Sequence, residues 1–266
     1  MIGKVLRKIK SVFNNTESHY YTGDYASYED ALQHCKGYAA KEVFEKTCET
    51  ALKVKRGDFV FERDSVGFTK AHYSFAAVAA LQKIITQNNN ELELTDFGGS
   101  LGSSYFQHKS FFTFLKKFKW KVVELPNIID FGKANLQDHH LFFHHTIAEA
   151  EAQQKSTVLF SSSTLQYVAH PFEWMEEFIK RDYPYILLDR IAFVKRDKHQ
   201  VTIQYTHEMI YEASYPAWFF NEQLFVQYFL ERGYKVHFDF PSYCDAPMSI
   251  DKKYSVHWKG FLLEKR

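Results

Sequence analysis

From Glu91 to Arg190 the chain repeats one rhythm, a short apolar run followed by a stretch with helical spacing. ELELTDF, KWKVVEL, HLFFHH, STVLFSS and YPYILLDR read as strands. Between them, helical spacing falls around Tyr105 to Phe118, Ile128 to Leu136, Thr146 to Gln153 and Pro171 to Lys180. Strand alternating with helix implies a parallel sheet, because each helix serves as a right-handed crossover that returns the chain to the same end. The expected fold is therefore α/β. The rhythm breaks after Arg190. IAFVKRDKHQVTIQYT reads as an antiparallel hairpin turning at RDKH, a helix is expected near Trp218 to Glu231, and YKVHFDF and YSVHWKGFLLEK supply the last strands.

Upstream, SYEDALQHC and AAKEVFEKTCETALKVKRG read as two helices, the first opened by Ser27 with Asp30 three residues on. FVFERDSVGF is a strand or a loop, and a third helix from about Tyr73 to Thr86 stops at three asparagines. The first 13 residues place Ile2, Val5, Leu6, Ile9, Val12 and Phe13 at helical spacing, with Lys4, Arg7, Lys8 and Lys10 on the other side. That pattern suits peripheral contact with an anionic membrane, and equally a helix docked on its own domain. The expected division is a basic amphipathic helix over 1–18, a helical extension with a lid over 19–90, and the sheet domain over 91–266.

At 266 residues, 45% of them hydrophobic, the chain can bury a full core. Thirty-three basic against 32 acidic residues give no global attraction to nucleic acid. Cys35, Cys48 and Cys244 are scattered and form no CxxC pair, which fits a reducing, cytoplasmic setting. No apolar run reaches the roughly 20 residues that span a bilayer. In the run His139-His140-Leu-Phe-Phe-His144-His145, strand alternation sends His144 and His145 to opposite faces, so no metal site is expected.

The chemistry centres on LTDFGGSLGSSYF, residues 94–106, directly after the first strand of the repeat. In an open parallel sheet, ligands bind at the carboxyl ends of the strands. Asp96, Gly98, Gly99, Ser100 and Gly102 form a strand-to-helix elbow whose glycines permit backbone angles closed to other residues. By itself such an elbow is equally a tight turn with close helix packing. The next strand ends VVEL, and Glu124 at its carboxyl edge can accept the two hydroxyls of a ribose. The glycines fit a nicotinamide dinucleotide poorly, since the last comes too early for G-x-G-x-x-G. An acid at position 96 would repel phosphate but suits an ammonium, such as that of S-adenosylmethionine.

The run Asp96-Phe-Gly98-Gly99-Ser100-Leu-Gly102 resembles motif I of the class I S-adenosylmethionine-dependent methyltransferases. More narrowly, DFGGSLGSSYFQ, WKVVELPNIIDFGK, LFSSSTLQYVAHP, ILLDRIAFV, EASYPAWFF and the upstream LKVKRGDFVFERDSVGF resemble a family of methyltransferases of bacterial surface-polysaccharide gene clusters. The resemblance implies a Rossmann-like sheet, mostly parallel with an antiparallel C-terminal strand, plus the helical extension. It implies S-adenosylmethionine as cofactor, held by the glycine elbow, Glu124 and Leu125, with Ser162, Gln166 and Tyr167 after the fourth strand beside the methyl donor. It also implies methylation of an oxygen on a surface glycan or its precursor. Asp189 and Arg190, at the end of the fifth strand, are candidates for base and acceptor anchor, with an internal ion pair as the plainer reading. His207 and Glu208 are alternative bases. Tyr211, Tyr215 and Trp218 offer apolar ring faces to a sugar, and Arg63 and Asp64 sit where a lid or ion pair near the cofactor is expected. Two rival functions remain open: a noncatalytic module of polysaccharide assembly, and an NAD-dependent sugar-modifying enzyme.

Overall fold

A computed structural model describes residues 19–35, 40–206 and 213–266. Five strands, β4 (Glu91–Phe97), β5 (Lys117–Val123), β6 (Leu141–His144), β7 (Val158–Ser162) and β8 (Tyr185–Val194), run parallel. They belong to a sheet completed by β11 (Tyr234–Pro241) and β13 (Tyr254–Lys265), in the order β11-β13-β8-β7-β4-β5-β6. β13 is antiparallel to both its neighbours and is the one reversed strand of that path, as the sequence suggested. A short strand, β12 (Met248–Ile250), pairs with its beginning.

Apolar residues on both sides of each strand follow from helices on both faces. Leu92, Leu94, Trp120, Val122, Leu141 and Phe143 pack on one face with helix α3 (Phe75–Gln87). Phe97, Leu159, Ile186 and Leu188 pack on the other with helix α7 (Pro171–Lys180). Proline begins both α7 and the helix after β5, α5 (Pro126–Asn135), where its missing N–H is no loss. The helix expected from Tyr105 is shorter. It is α4 (Ser103–His108), followed by one 3-10 turn at Lys109–Phe111.

The expected hairpin after Arg190 does not form. β9 (Gln200–Thr206) instead joins a separate antiparallel sheet between β1 (His19–Tyr25) and β10 (Ala213–Phe219). The physical reason is that β8 has no open edge beyond Arg190, since β13 pairs as far as Val194 on one side, and on the other, where β7 stops at Asp189, Phe220 bridges Phe193 and bonds Ala192 and Val194. Trp218 likewise belongs to strand β10, opposite Val201. The helix α8 (Glu222–Leu230) starts later, where the Asn221 side chain accepts from the Leu224 N–H at 2.7 Å.

The N-terminal extension opens with β1, then turns helical through α1 (Tyr28–Gln33) and α2 (Ala40–Arg56). Ser27 caps α1 by accepting from the Asp30 N–H at 3.1 Å. FVFERDSVGF folds as a hairpin of β2 (Phe61–Arg63) and β3 (Val66–Phe68), turning on Asp64 and Ser65, whose φ angles are 51° and 61°. Two left-handed residues in succession match the right-handed twist of the paired strands. Residues 1–18, with the basic amphipathic pattern, and the segment carrying His207, Glu208 and Tyr211 lie outside the described residues.

Candidate active site

The carboxyl ends of β4, β5 and β7, with the middle of β8 beside the end of β7, bring the cofactor candidates and Asp189 and Arg190 to one end of the sheet. After β4 the chain turns on Gly98 (φ 75°), Ser100 (φ 50°) and Gly102 (φ 83°) before α4 begins. The turn is tied down, with the Gly98 N–H on the Val123 carbonyl at 2.9 Å and the Gly102 N–H on that of Gly99 at 3.0 Å. The chain itself answers why side chains are nearly excluded here. A Cβ on Gly98 would strike Thr164, one on Gly99 would lie 2.5 Å from the Asp96 carboxylate, and one on Gly102 would press on Leu141 at 3.0 Å. Among the described residues, no group accepts from the N–H of Gly99 or Ser100, so the turn presents uncommitted donors.

Asp96 lies beneath this turn, 1% exposed, and accepts from Trp120 Nε1 at 2.7 Å. Burial pushes its carboxyl up to about 7, opposed by the indole hydrogen bond and reinforced by the charge of Glu124. The charge of Glu124 thus reaches Asp96 from the adjacent strand end, and a cation beside Asp96 would relieve its carboxyl. Glu124 is half-buried and accepts from the Leu125 N–H at 2.5 Å, with burial holding its carboxyl above the usual range. Leu125 beside it is 65% exposed and gives that end of the site an apolar face.

The segment after β7 closes the other side. Thr164 donates to the Gly98 carbonyl at 3.3 Å, and Ser161 donates to that of Phe97 at 3.0 Å. Ser162, half-buried, offers its carbonyl to Thr164 at 3.2 Å. Gln166 is fully buried and donates to Ser163 Oγ at 3.1 Å and to the Arg190 carbonyl at 3.0 Å. It braces the loop. Tyr167 donates to Gln204 Oε1 at 3.0 Å and meets Tyr215 edge to face at 5.6 Å.

Asp189 and Arg190, expected at a strand end, lie midway along β8, which runs on to Val194: Asp189 pairs in register with Ser162, the last residue of β7, and Arg190 has a left-handed φ of 57° where the pairing with β13 skips a residue. This bulge breaks strand alternation at the two charged residues. Arg190 does not pair with Asp189. It grips Asp245, in the loop after β11, with Nε on Oδ2 at 2.7 Å and Nη2 on Oδ1 at 3.0 Å. Burial opposes the Asp245 charge, but Arg190 outweighs it and holds the carboxyl down to about 2. Asp189 is 2% exposed, and its Oδ1 has no hydrogen-bond partner. Burial pushes its carboxyl up to about 6, against the pull of Arg190 and a hydrogen bond from Ser74. His108 contributes no charge nearby. Its Nε2 accepts from the Ser74 N–H at 3.2 Å, and burial takes it down to about 4.

Arg63, from the β2–β3 hairpin, reaches the same loop, donating to Tyr243 Oη and Cys244 Sγ at 3.0 Å each. Asp64 at the hairpin tip is exposed, within electrostatic reach of Tyr167. The neighbouring Glu62 was not anticipated. It is 4% exposed, accepts from Ser103 Oγ at the head of α4, leaves Oε2 without a partner, and is pushed by burial up to about 7. Tyr215 and Trp218 do not make one platform. Three residues apart on a strand, they face opposite ways, Tyr215 toward Tyr167 and Trp218 toward Phe172 and Phe220. Trp120, Asp245 and Glu62 are the residues that sequence reasoning missed. Of these, Trp120 was readable, since it shares a face with Glu124 in KWKVVEL.

The sheet order and its single reversed strand are those of the Rossmann-like class I methyltransferase fold. Among solved structures, the chain is similar to the N-terminal domain of EvdMO1, determined in the presence of SAH and D-fucose (10% identity over 86% of this chain and 98% of that one, TM-score 0.48). It is also similar to an S-adenosylmethionine-dependent methyltransferase of Clostridium acetobutylicum (9% identity, 84% and 98%, TM-score 0.46). A third is the glycopeptide N-methyltransferase MtfA complexed with sinefungin (8% identity, 74% and 96%, TM-score 0.46). No family model and no curated protein matches the sequence.

Proposed function

We propose that the chain is an S-adenosylmethionine-dependent methyltransferase that methylates a sugar hydroxyl of a surface polysaccharide or its precursor. The observation that carries the cofactor assignment is the pair Asp96 and Glu124, carboxylates at adjacent strand ends beside a turn with uncommitted N–H donors, the charge of Glu124 adding to the burial that raises the proton affinity of Asp96. The site fits the cofactor's chemistry: acid for an ammonium, Glu124 for ribose hydroxyls, Leu125 for an apolar ring, and backbone N–H groups for a carboxylate. When bound, that compound supplies an electrophilic methyl group. The chain's own work is to hold the acceptor in line, exclude water and take up a proton. Asp189 suits the last task, because a carboxylate with an uncommitted oxygen, held near 6, is mostly ionised at neutral pH and still basic enough to accept from a hydroxyl. Arg190, fixed by Asp245, lies beside it to orient the acceptor. The sugar rests on the sequence resemblance and on Tyr167 and Tyr215.

Titration calorimetry tests the reading. S-adenosylhomocysteine binds and NAD does not, and Asp96→Asn and Glu124→Gln each weaken binding at least tenfold. Unchanged affinity in both folded variants overturns it.

A further inference from the structure

One surface feature is unused by this chemistry. Phe75, at the first position of α3, is 67% exposed, and Phe114, in the loop before β5, is 59% exposed. Large apolar side chains at such exposure stand out, because most of the described phenylalanines are buried. Phe75 belongs to an aromatic cluster, and Phe114 follows one of its members, Phe111, by three residues. Tyr73 meets Phe75 at 5.6 Å and Phe111 at 4.8 Å, and Phe75 meets Phe111 at 6.2 Å, all edge to face. The Phe111 carbonyl accepts from Gln82 of α3 at 3.1 Å, which locks the two segments together.

Charge says what this cluster fits. The two segments that build it, residues 69–75 and 109–117, contain Lys70, Lys109, Lys116 and Lys117 and no acidic residue. All four are exposed, with Lys117 paired with Glu91 at 2.6 Å and the Lys109 ammonium over the Phe106 ring at 4.7 Å. Aromatic side chains that project among lysines match a surface with an apolar interior and an anionic face, in which each ring enters the acyl boundary and each ammonium meets a headgroup. A protein partner would require an acidic apolar groove of matching shape, whereas a bilayer requires only this composition.

We propose that the Phe75–Phe114 patch is a docking surface for an anionic lipid bilayer. The patch also adjoins the candidate base, because Ser74, between Tyr73 and Phe75, is close enough to favour the Asp189 charge. Docked this way, that end of the site lies close to the membrane.

Co-sedimentation of the full chain with vesicles tests the proposal without reference to catalysis. Vesicles of phosphatidylglycerol and phosphatidylcholine should bind the protein, pure phosphatidylcholine vesicles should bind it much less, and added salt should weaken the association. Phe75→Ser with Phe114→Ser should lower the partition coefficient at least tenfold, while Leu224→Ser, at an exposed apolar position elsewhere, should leave it unchanged. Equal partitioning of wild type and double variant overturns the proposal, as does failure of the wild type to bind. A concentration-dependent dimer that the double variant abolishes would assign the patch to a second copy of the chain and also overturn it. Calorimetry with S-adenosylhomocysteine on the double variant, expected unchanged, keeps this result separate from the proposed function.

Discussion

Replacing Glu62 by Gln should remove a pH dependence of stability that the native protein carries between about pH 4.5 and 7. The carboxyl is buried between the β2–β3 hairpin and α4, keeps one oxygen without a partner, and is pushed from the usual 4.5 to about 7. The folded state therefore binds the proton more tightly than the unfolded chain. Stability from this group is fully present below pH 4.5 and is lost as pH rises through 7, because ionisation then leaves a charge in a dry setting. A displacement of about 2.5 pH units at about 1.36 kcal/mol each comes to about 3 kcal/mol. Glutamine keeps an acceptor for Ser103 Oγ and cannot ionise, so the variant should be the more stable protein above pH 7. Urea unfolding followed by tryptophan fluorescence at pH 5, 6, 7 and 8 reads the difference. Asp96 and Asp189 titrate in overlapping windows with the same sign, so the decisive quantity is wild type minus variant. If the two proteins lose stability in parallel across that range, the assigned burial of the Glu62 charge is wrong.

Gly99→Ala should cost about 1 to 3 kcal/mol of stability, as overpacking does, and should displace Asp96, weakening S-adenosylhomocysteine binding in calorimetry; an alanine variant with native affinity contradicts the close packing of the turn on that carboxylate. Asp189→Asn should lower methyl transfer about 100-fold or more while cofactor affinity stays within about twofold. In the native protein the rate should rise with pH through about 6, because the base acts only when ionised, and the asparagine variant should lack that limb.

The parallel sheet was legible because each strand and helix of 91–190 carries its own apolar period, and Ser27 and Pro171 mark helix starts locally, whereas the helix read from Ile128 begins at Pro126. The glycine turn and Glu124 were legible for the same reason, as each sits at a strand end. What escaped depended on contacts distant in sequence. Nothing in QVTIQYT says that β8 has no free edge, so a hairpin was the natural reading of residues 191–206. Trp218 looked helical because the Asn221 cap, three residues later, was not weighed against the aromatic run before it. Arg190 and Asp245 are 55 residues apart, and neither local pattern points to the other.

The small sheet of β1, β9 and β10 has a consequence for how the chain is made. His19 pairs with Thr206, so the first described strand leaves the ribosome nearly 190 residues before its partner exists. At about 5 to 20 residues per second, that is a wait of roughly 10 to 40 seconds. During that interval HYYTGDY is a tyrosine-rich segment with both backbone edges unsatisfied, able to pair with other nascent chains. Closure of this sheet is thus a late, long-range event in biogenesis, and slowing translation between β8 and β9 should lengthen the window in which aggregation competes with it.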